Sequence, residues 1–297
     1  MNYITIVGGD EREIALGSML EAAKYPVRYA GFEAFPRPVN NTAAPLKESL
    51  SLSLVVILPL TGIDSNGKIN APYARESLKI ESRDFGGIKA GTLFIAGRIS
   101  DAIKKRLRHE RALIYETGEW DDLALLNAVP TAEGAIQAAM EKSKITLHAS
   151  KCLVAGFGRC GKLLSQKLKG LGAVVTVAAR NNTALAEAET WGLETLPLEQ
   201  LTTYVHEYDF IFNTIPALVL KKEILNKVKP MVTIIDIASK PGGVDAGYAR
   251  KYGLNYHHLL GLPGKVAPVT AGKILFTVYQ PLIVKQYRAL EPGWEAK

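Results

Sequence analysis

The feature that most constrains the fold is the stretch Val154-Ala-Gly-Phe-Gly-Arg-Cys-Gly161, where an apolar run passes straight into glycines at 156, 158 and 161. An apolar strand ended by G-x-G-x-x-G and followed by a helical pattern, here Lys162 to Lys169, describes the first turn of a β-α-β unit. The first glycine makes the tight turn, the second lets a diphosphate approach the backbone, and the third lets helix and strand pack closely. Unpaired N–H groups at the helix start then face phosphate oxygens. The stretch therefore reads as a dinucleotide cradle, with Gly156, Phe157, Gly158, Arg159, Cys160 and Gly161 as cofactor-binding candidates. A glycine-rich turn without a ligand is the alternative. Cys160 is assigned packing and no chemistry, although a helix N-terminus is expected to lower its pKa.

Around this turn, strand and helix patterns alternate in two successive series. In the first, strands are expected at Tyr3 to Val7, Val27 to Ala30, Leu54 to Leu58, Leu93 to Ala96 and Leu113 to Tyr115. Helices are expected from about Asp10 to Lys24, Ser100 to His109 and Glu119 to Asn127. In the second, strands are expected at Cys152 to Ala155, Val174 to Ala178, Asp209 to Asn213, Val232 to Ile237 and Leu254 to His258. Strands alternating with helices predict an α/β fold of two doubly wound parallel-sheet domains. The expected division is a flavodoxin-like domain over 1–128, an inter-domain helix and linker over 129–150, a Rossmann domain over 151–268, and a helix over 269–297 returning to the first domain. Pro130 disfavours helix at Val129, so Thr131 is expected to cap a new helix. Its face of Ala132, Ala135, Ile136, Ala139 and Met140 is expected to pack between the domains. The last segment is read as helical despite Pro281, which should kink it.

A second glycine-ended strand opens the chain, Ile4-Thr-Ile-Val-Gly-Gly-Asp10, but it lacks the third glycine and places a carboxylate where a phosphate would sit. The first half is therefore the substrate side. A net charge of +7 over 297 residues invites a nucleic-acid reading. The basic residues are scattered, however, and no nucleic-acid-binding signature accompanies them. The densest run, Lys104-Lys-Arg-Leu-Arg-His109, reads as a solvated helix face with Ile103 and Leu107 turned inward. The longest apolar run, Leu54 to Leu60, suits a buried strand and is too short for a membrane span. Two cysteines give neither a disulfide framework nor zinc spacing, and no export signal opens the chain. A cytoplasmic protein without a metal is expected. Homo-oligomerisation is compatible with the sequence.

The end of the second strand after the cradle chooses the cofactor. NAD enzymes place an acid there to accept from the ribose 2′-OH. Here the residues are Arg180, Asn181, Asn182 and Thr183, with no carboxylate until Glu187. An arginine and amide donors suit a 2′-phosphate, so NADP is expected, with NAD as the alternative. Asn213, Thr214, Ile215 and Pro216 end a further strand and are candidate nicotinamide-side contacts. An ordinary strand exit explains them as well.

Several stretches together resemble one family: "VPTAEGAI" at 129–136, "NTIP" at 213–216, "DIASKPGGVD" at 236–245 and "GLPGKVAPVTAGKIL" at 261–275. They look like the A subunit of dipicolinate synthase, and the resemblance runs over nearly the whole chain. It implies oxidation of dihydrodipicolinate, or its hydrated precursor, to dipicolinate with a nicotinamide cofactor. It also implies a role in the mother cell during sporulation, beside a flavoprotein-like second subunit. The implied architecture is that of D-2-hydroxyacid and alanine dehydrogenases, two α/β domains with a cleft. The arginine that hydroxyacid enzymes carry after the strand here reading Ile234 to Lys240 is missing, so their triad is not carried over.

For that chemistry, Lys240 with Ser239, Gly242 and Gly243 is proposed to bind a substrate carboxylate, and Lys265 joins them as a second cation. Both lysines also read as solvated turn residues. Glu133 is a candidate base and Thr131 a candidate substrate contact, facing the cleft. Glu133 reads equally as a first-turn acid complementing the helix dipole. His257 and His258 are the alternative proton acceptors, because one of two adjacent strand residues must point inward. Pro59, Thr61 and Arg98 are candidate substrate contacts on the first domain. Two other readings remain: a hydroxyacid- or shikimate-dehydrogenase-like oxidoreductase, and a nucleotide-binding regulatory subunit whose partner is the catalyst.

Overall fold

A computed structural model describes residues 2–37 and 46–290. The end of the expected C-terminal segment, 291–297, lies outside the described residues. The chain forms two compact units, one running to Ala124 and resuming at Ala267, the other comprising Leu125–Val266.

The first unit contains β1 (Tyr3–Val7), α1 (Glu11–Ala22), β2 (Val27–Ala30), α2 (Leu46–Ser51), β3 (Ser53–Ile57), α3 (Ser82–Phe85), β4 (Leu93–Ala96), α4 (Asp101–His109) and β5 (Leu113–Glu116). Its strands pair in the order β2-β1-β3-β4-β5, all parallel, which is the flavodoxin-like order. Parallel strands are apolar on both faces because helices cover both. Accordingly Ile4, Ile6, Val55 and Ile57 join one core and Val7, Val56 and Phe94 the other.

From Asp121 to Lys142 runs a single helix, α5, with Pro130 inside it. The sequence predicts a break here and a new cap at Thr131. Instead Thr131 Oγ1 donates to the carbonyl of Asn127, 2.7 Å away and one turn back. The restriction that proline places on its predecessor is a bias, and a helix held by burial on one side overrides it. Ala132, Ala135 and Ala139 are fully buried in the core of the second unit, so this stretch belongs to that unit and is not a separate linker.

The second unit continues with β6 (Lys151–Ala155), α6 (Arg159–Gly170), β7 (Val174–Ala179), α7 (Asn182–Thr190), β8 (Glu194–Pro197), α8 (Leu201–Tyr204), β9 (Phe210–Asn213), α9 (Lys222–Leu225), β10 (Thr233–Asp236), α10 (Ala246–Lys251), β11 (Asn255–His258) and α11 (Leu262–Val266). The strand order β11-β10-β9-β6-β7-β8, all parallel, is the Rossmann order with β6 as its first strand. The sequence reading missed β8, whose Glu-Thr-Leu-Pro at the sheet edge buries only Leu196. The last helix, α12 (Pro268–Leu290), continues past Pro281 and packs on α1 of the first unit through Leu275, Tyr279 and Ile283.

The opening Gly8-Gly9 turn is closed by the chain's own carboxylates. Asp10 caps α1 and forms a two-bond pair with Arg12, Nε to Oδ1 at 2.9 Å and Nη2 to Oδ2 at 2.8 Å. Burial raises the Asp10 pKa, but the bonds and charge of Arg12 outweigh it and hold the group low. Glu13 Oε2 accepts the Asp10 N–H at 2.8 Å, while its buried Oε1 has no partner among the described residues. Burial pushes the Glu13 carboxyl up to about 7, with Arg12 working against the shift. A carboxyl raised on folding stabilises the fold fully below its unfolded value of 4.5, and that contribution is lost as pH rises through about 7. Glu13→Gln is therefore expected to remove up to about 3 kcal/mol of stability loss across that window. Melts of wild type and variant at about pH 5 and pH 8 check this. Parallel curves would contradict it.

Candidate functional site

At the carboxyl end of β6 the three glycines play three different roles. Gly156 has φ +99°, a left-handed backbone, and a Cβ there would strike Thr214 Oγ1. A Cβ on Gly161 would strike the carbonyl of Gly156, so the helix start and the turn pack backbone to backbone. A Cβ on Gly158 would meet nothing within 4 Å. Gly158 is also the N-cap of α6 and supplies no capping side chain to the first-turn N–H groups. Space and donors thus coincide at the head of a 12-residue helix, an arrangement that fits a diphosphate. The Phe157 ring is turned into the core against Trp191, centroids 5.3 Å apart, so it is the backbone of Phe157 that remains at the turn. Arg159 is exposed. Burial pushes the half-buried Cys160 thiol up, against the opposing charge of Arg159, which overturns the expected lowering.

Parallel register brings the other candidates to the same edge of the sheet. Ala155 pairs with Ala178 on one side and Asn213 on the other, Asn213 with Asp236, and Asp236 with His258. The residues after β7, Arg180, Asn181, Asn182 and Thr183, are all exposed. Asn181 Oδ1 accepts the Thr183 N–H at 2.8 Å, so that N–H is used inside the helix cap and is not offered outward. Glu187, the first acid after the turn, is paired with Lys162 at 2.7 Å.

Asp236, which the sequence reading passed over, is the hub of the next two loops. Fully buried, its Oδ1 accepts from Asn213 Nδ2 at 2.8 Å and from the Ala238 N–H at 3.0 Å, and its Oδ2 from the Gly243 N–H at 2.9 Å. Asn213 in turn holds Ile215 through both backbone groups, at 3.0 and 3.2 Å. Asn213 is thus a structural clamp, while Thr214, Ile215 and Pro216 lie partly open beside the glycine turn. The Gly242 N–H donates to Ser239 O at 2.9 Å. With both glycine N–H groups used inside the turn, the expectation that Gly242 and Gly243 bind a substrate carboxylate is overturned. Ser239 and Lys240 stand exposed on that turn.

The two histidines separate. His257 Nε2 bonds Asn255 Oδ1 at 2.8 Å, back toward the start of β11, and burial lowers its pKa. That placement removes His257 from the carboxyl edge and corrects its choice as the proton acceptor. His258, at the carboxyl edge, has Nε2 2.8 Å from Ala238 O. A carbonyl only accepts, so Nε2 carries the hydrogen, and in the neutral ring Nδ1 is the nitrogen with the lone pair. Glu133 is paired with Lys167 at 2.7 Å. Lys167 lies eight residues into α6, about 12 Å along the helix from the glycine turn. Glu133 is therefore not brought to the turn, and its choice as base is corrected too. Lys265 is exposed on α11, whose Leu262 and Val266 press on Gly134 of α5.

In the first unit, Thr61 and Arg98 line one cavity of about 440 Å³ beyond the carboxyl ends of β3 and β4. Pro59 lies beneath it, its carbonyl accepting from Gly62 and Gly97. Lys104 also lines this cavity, bridging Asp101 at 2.9 Å and Glu116 at 3.0 Å. The solvated-face reading of its basic run missed it. Ile103 and Leu107 are buried as expected.

Residues 3–117 match the family model described as the N-terminal domain of the dipicolinate synthase A subunit. Residues 123–241 match that of the D-isomer specific 2-hydroxyacid dehydrogenase NAD binding domain. The crystal structure of the dipicolinate synthase A subunit from Bacillus halodurans superposes with a TM-score of 0.85 at 30% identity, covering 95% of this chain and 97% of that one. The chain belongs to the dipicolinate synthase A subunit family. The crystal structure of the same subunit from Bacillus subtilis gives a TM-score of 0.82 at 29% identity, covering 98% of each chain. The dipicolinate synthase A subunit of Bacillus subtilis (strain 168) is 28% identical over 284 residues, 95% of this chain and 96% of the relative. The second unit is accordingly a dehydrogenase-type domain for a nicotinamide dinucleotide, and the chain is an oxidoreductase. Among the described residues, no helix is long and apolar enough to cross a membrane, and no group of three or more His, Cys, Asp or Glu is placed to hold a metal ion.

Proposed function

We propose that this member of the dipicolinate synthase A subunit family oxidises dihydrodipicolinate, or its hydrated precursor, to dipicolinate with NADP. It does so beside a flavoprotein-like second subunit in the mother-cell cytoplasm of a sporulating bacterium. The observation that carries the reading is the open space at Gly158, at the head of α6, in a chain of this family. NADP is preferred because β7 ends in an exposed arginine with no free acid beside it, Glu187 being held by Lys162.

A bound nicotinamide would supply the hydride acceptor, and aromatisation of the ring would supply much of the driving force. The protein's task is then to place the ring, hold its two carboxylates and take one ring proton. Lys240 and Ser239, on the turn anchored by Asp236, attract one carboxylate. His258 takes the proton at Nδ1, its orientation fixed by the Nε2–H bond to Ala238 O.

The test mixes purified protein, NADP and freshly generated dihydrodipicolinate, with and without the second subunit, and follows NADPH and dipicolinate by absorbance. NADP-dependent dipicolinate formation is expected. Turnover without a nicotinamide cofactor, or reduction of the partner alone, would favour a regulatory role. In separate titrations, Arg180→Ala is expected to weaken NADPH binding by roughly ten- to a hundredfold, the loss of one charge-assisted bond, and to leave NADH nearly unchanged. Equal loss for both would make Arg180 structural.

A further inference from the structure

Helices α6 and α7 start at the two places where the cofactor's phosphates belong, Gly158 for the diphosphate and Arg180 to Thr183 for a 2′-phosphate. One ion pair joins the helices a turn beyond these starts. The Lys162 N–H donates to Gly158 O at 2.9 Å, so Lys162 stands one turn into α6, in line with Gly158. Its side chain lines the same cavity, of about 690 Å³, as Gly158 and Arg159. Glu187 follows Thr183 by four residues, so the two share a face of α7 with Cβ atoms roughly 6 Å apart. Lys162 Nζ and Glu187 Oε1 meet at 2.7 Å, each side chain 36% exposed.

Glu187 is the first acid after β7, and its charge matters to one cofactor more than to the other. An unopposed carboxylate this close to Thr183 would repel the 2′-phosphate of NADP, while NAD lacks that group. Partial burial keeps salt and water from screening the repulsion fully. The next acid, Glu189, is turned to β8, where it accepts from Thr195 Oγ1 at 2.9 Å. Lys162 is well held for opposing Glu187. Its ammonium lies 5.6 Å from the centroid of the Phe157 ring, which itself packs edge-on against Trp191.

We propose, resting on the NADP reading, that the Lys162–Glu187 pair controls which dinucleotide the domain prefers. Lys162 cancels the charge of Glu187, and the neutral pair lets a 2′-phosphate settle beside Arg180. Lys162 acts through Glu187 and not as a ligand of the cofactor. The preference for NADPH over NADH therefore follows the net charge of the pair: it falls when the pair is left negative, holds or rises when it is left positive, and returns when both charges are removed.

Fluorescence titrations of the full chain with NADPH and NADH at low salt test this, on wild type, Lys162→Met, Glu187→Gln and the double variant. Methionine keeps the apolar stem beside Phe157 and removes the charge. Lys162→Met is expected to lower the NADPH-over-NADH preference at least about fivefold, through weaker NADPH binding. Glu187→Gln is expected to keep or raise the preference, and the double variant to come within about twofold of wild type. Lys162→Gln repeats the charge removal if circular dichroism shows Lys162→Met unfolded. A preference unmoved by losing the lysine would overturn the proposal. A double variant as poor as Lys162→Met would also overturn it, making Lys162 a direct cofactor ligand or a structural residue. A wild type that binds NADH as tightly as NADPH would overturn the NADP reading and this proposal with it. A wild type that prefers NADPH, with variants out of the expected order, would overturn this proposal alone.

Discussion

Gly158→Val is expected to abolish detectable NADPH and NADH binding while leaving the fold almost as stable as before. The two halves of that expectation come from one observation, the absence of any atom within 4 Å of a Cβ at this position. Its φ of −86° is ordinary for a side-chain-bearing residue, so neither strain nor collision resists the substitution. A surface change of this kind alters stability by about 0.5 kcal/mol or less, a melting shift of about 2 °C. The valine would fill the space in which a diphosphate approaches the helix, costing at least a hundredfold in affinity, about 3 kcal/mol. Gly161→Val provides the contrast: its side chain would collide with the Gly156 carbonyl, so it is expected to lose at least about 1–3 kcal/mol of stability first. Fluorescence titration and thermal melts of the two variants separate the roles. Undiminished cofactor binding by Gly158→Val would remove the diphosphate from this turn.

Asp236→Ala is expected to cost about 3–5 kcal/mol and to lower the melting temperature by roughly 10 °C. The carboxylate serves three donors in a site without solvent, and alanine would leave the Asn213 amide and the N–H groups of Ala238 and Gly243 without an acceptor. Asp236→Asn retains one carbonyl oxygen but turns an NH₂ toward a donor, so an intermediate loss is expected. Both loops hang on this group, the one after β9 through Asn213 and the Ser239–Lys240 turn directly. Denaturant unfolding measures the loss. A change under about 1 kcal/mol would mean that the loops are held by other contacts.

The fold was legible where burial writes directly into sequence. Runs such as Leu54 to Leu58 and Phe210 to Phe212 are apolar on both faces because a parallel sheet is covered on both. The glycine fingerprint was legible because Gly156 and Gly161 answer steric demands of the chain itself, while Gly158 leaves open space at the helix head. Legibility failed where a local rule met tertiary packing. Pro130 forbids one hydrogen bond, yet the buried alanines beyond it carry the helix through. β8 was missed because an edge strand of four residues has too little apolar pattern to register.

For the site, the weakness was specific. Glu133 and His257 were chosen by chemistry and position in a motif, and neither property reveals which way a side chain is held. Lys167 and Asn255 decide that, and they lie 34 residues further on and two residues back. The glycine N–H groups near Lys240 looked available because a turn's internal hydrogen bonds do not show in sequence. Asp236 had a signal that was not used: a lone acid ending the apolar run Thr233-Ile-Ile-Asp236 must either find donors or stay uncharged. Lys104 had a weaker one, being adjacent to a buried helix position and within reach of Glu116.

The most direct measurement of the central claim is a crystal structure of the protein soaked with NADP. The account predicts diphosphate oxygens about 2.7–3.2 Å from backbone N–H groups at the start of α6, over Gly158, with the 2′-phosphate beside Arg180. A dinucleotide seated at the Gly8-Gly9 turn, or a blocked turn at Gly158, would contradict it.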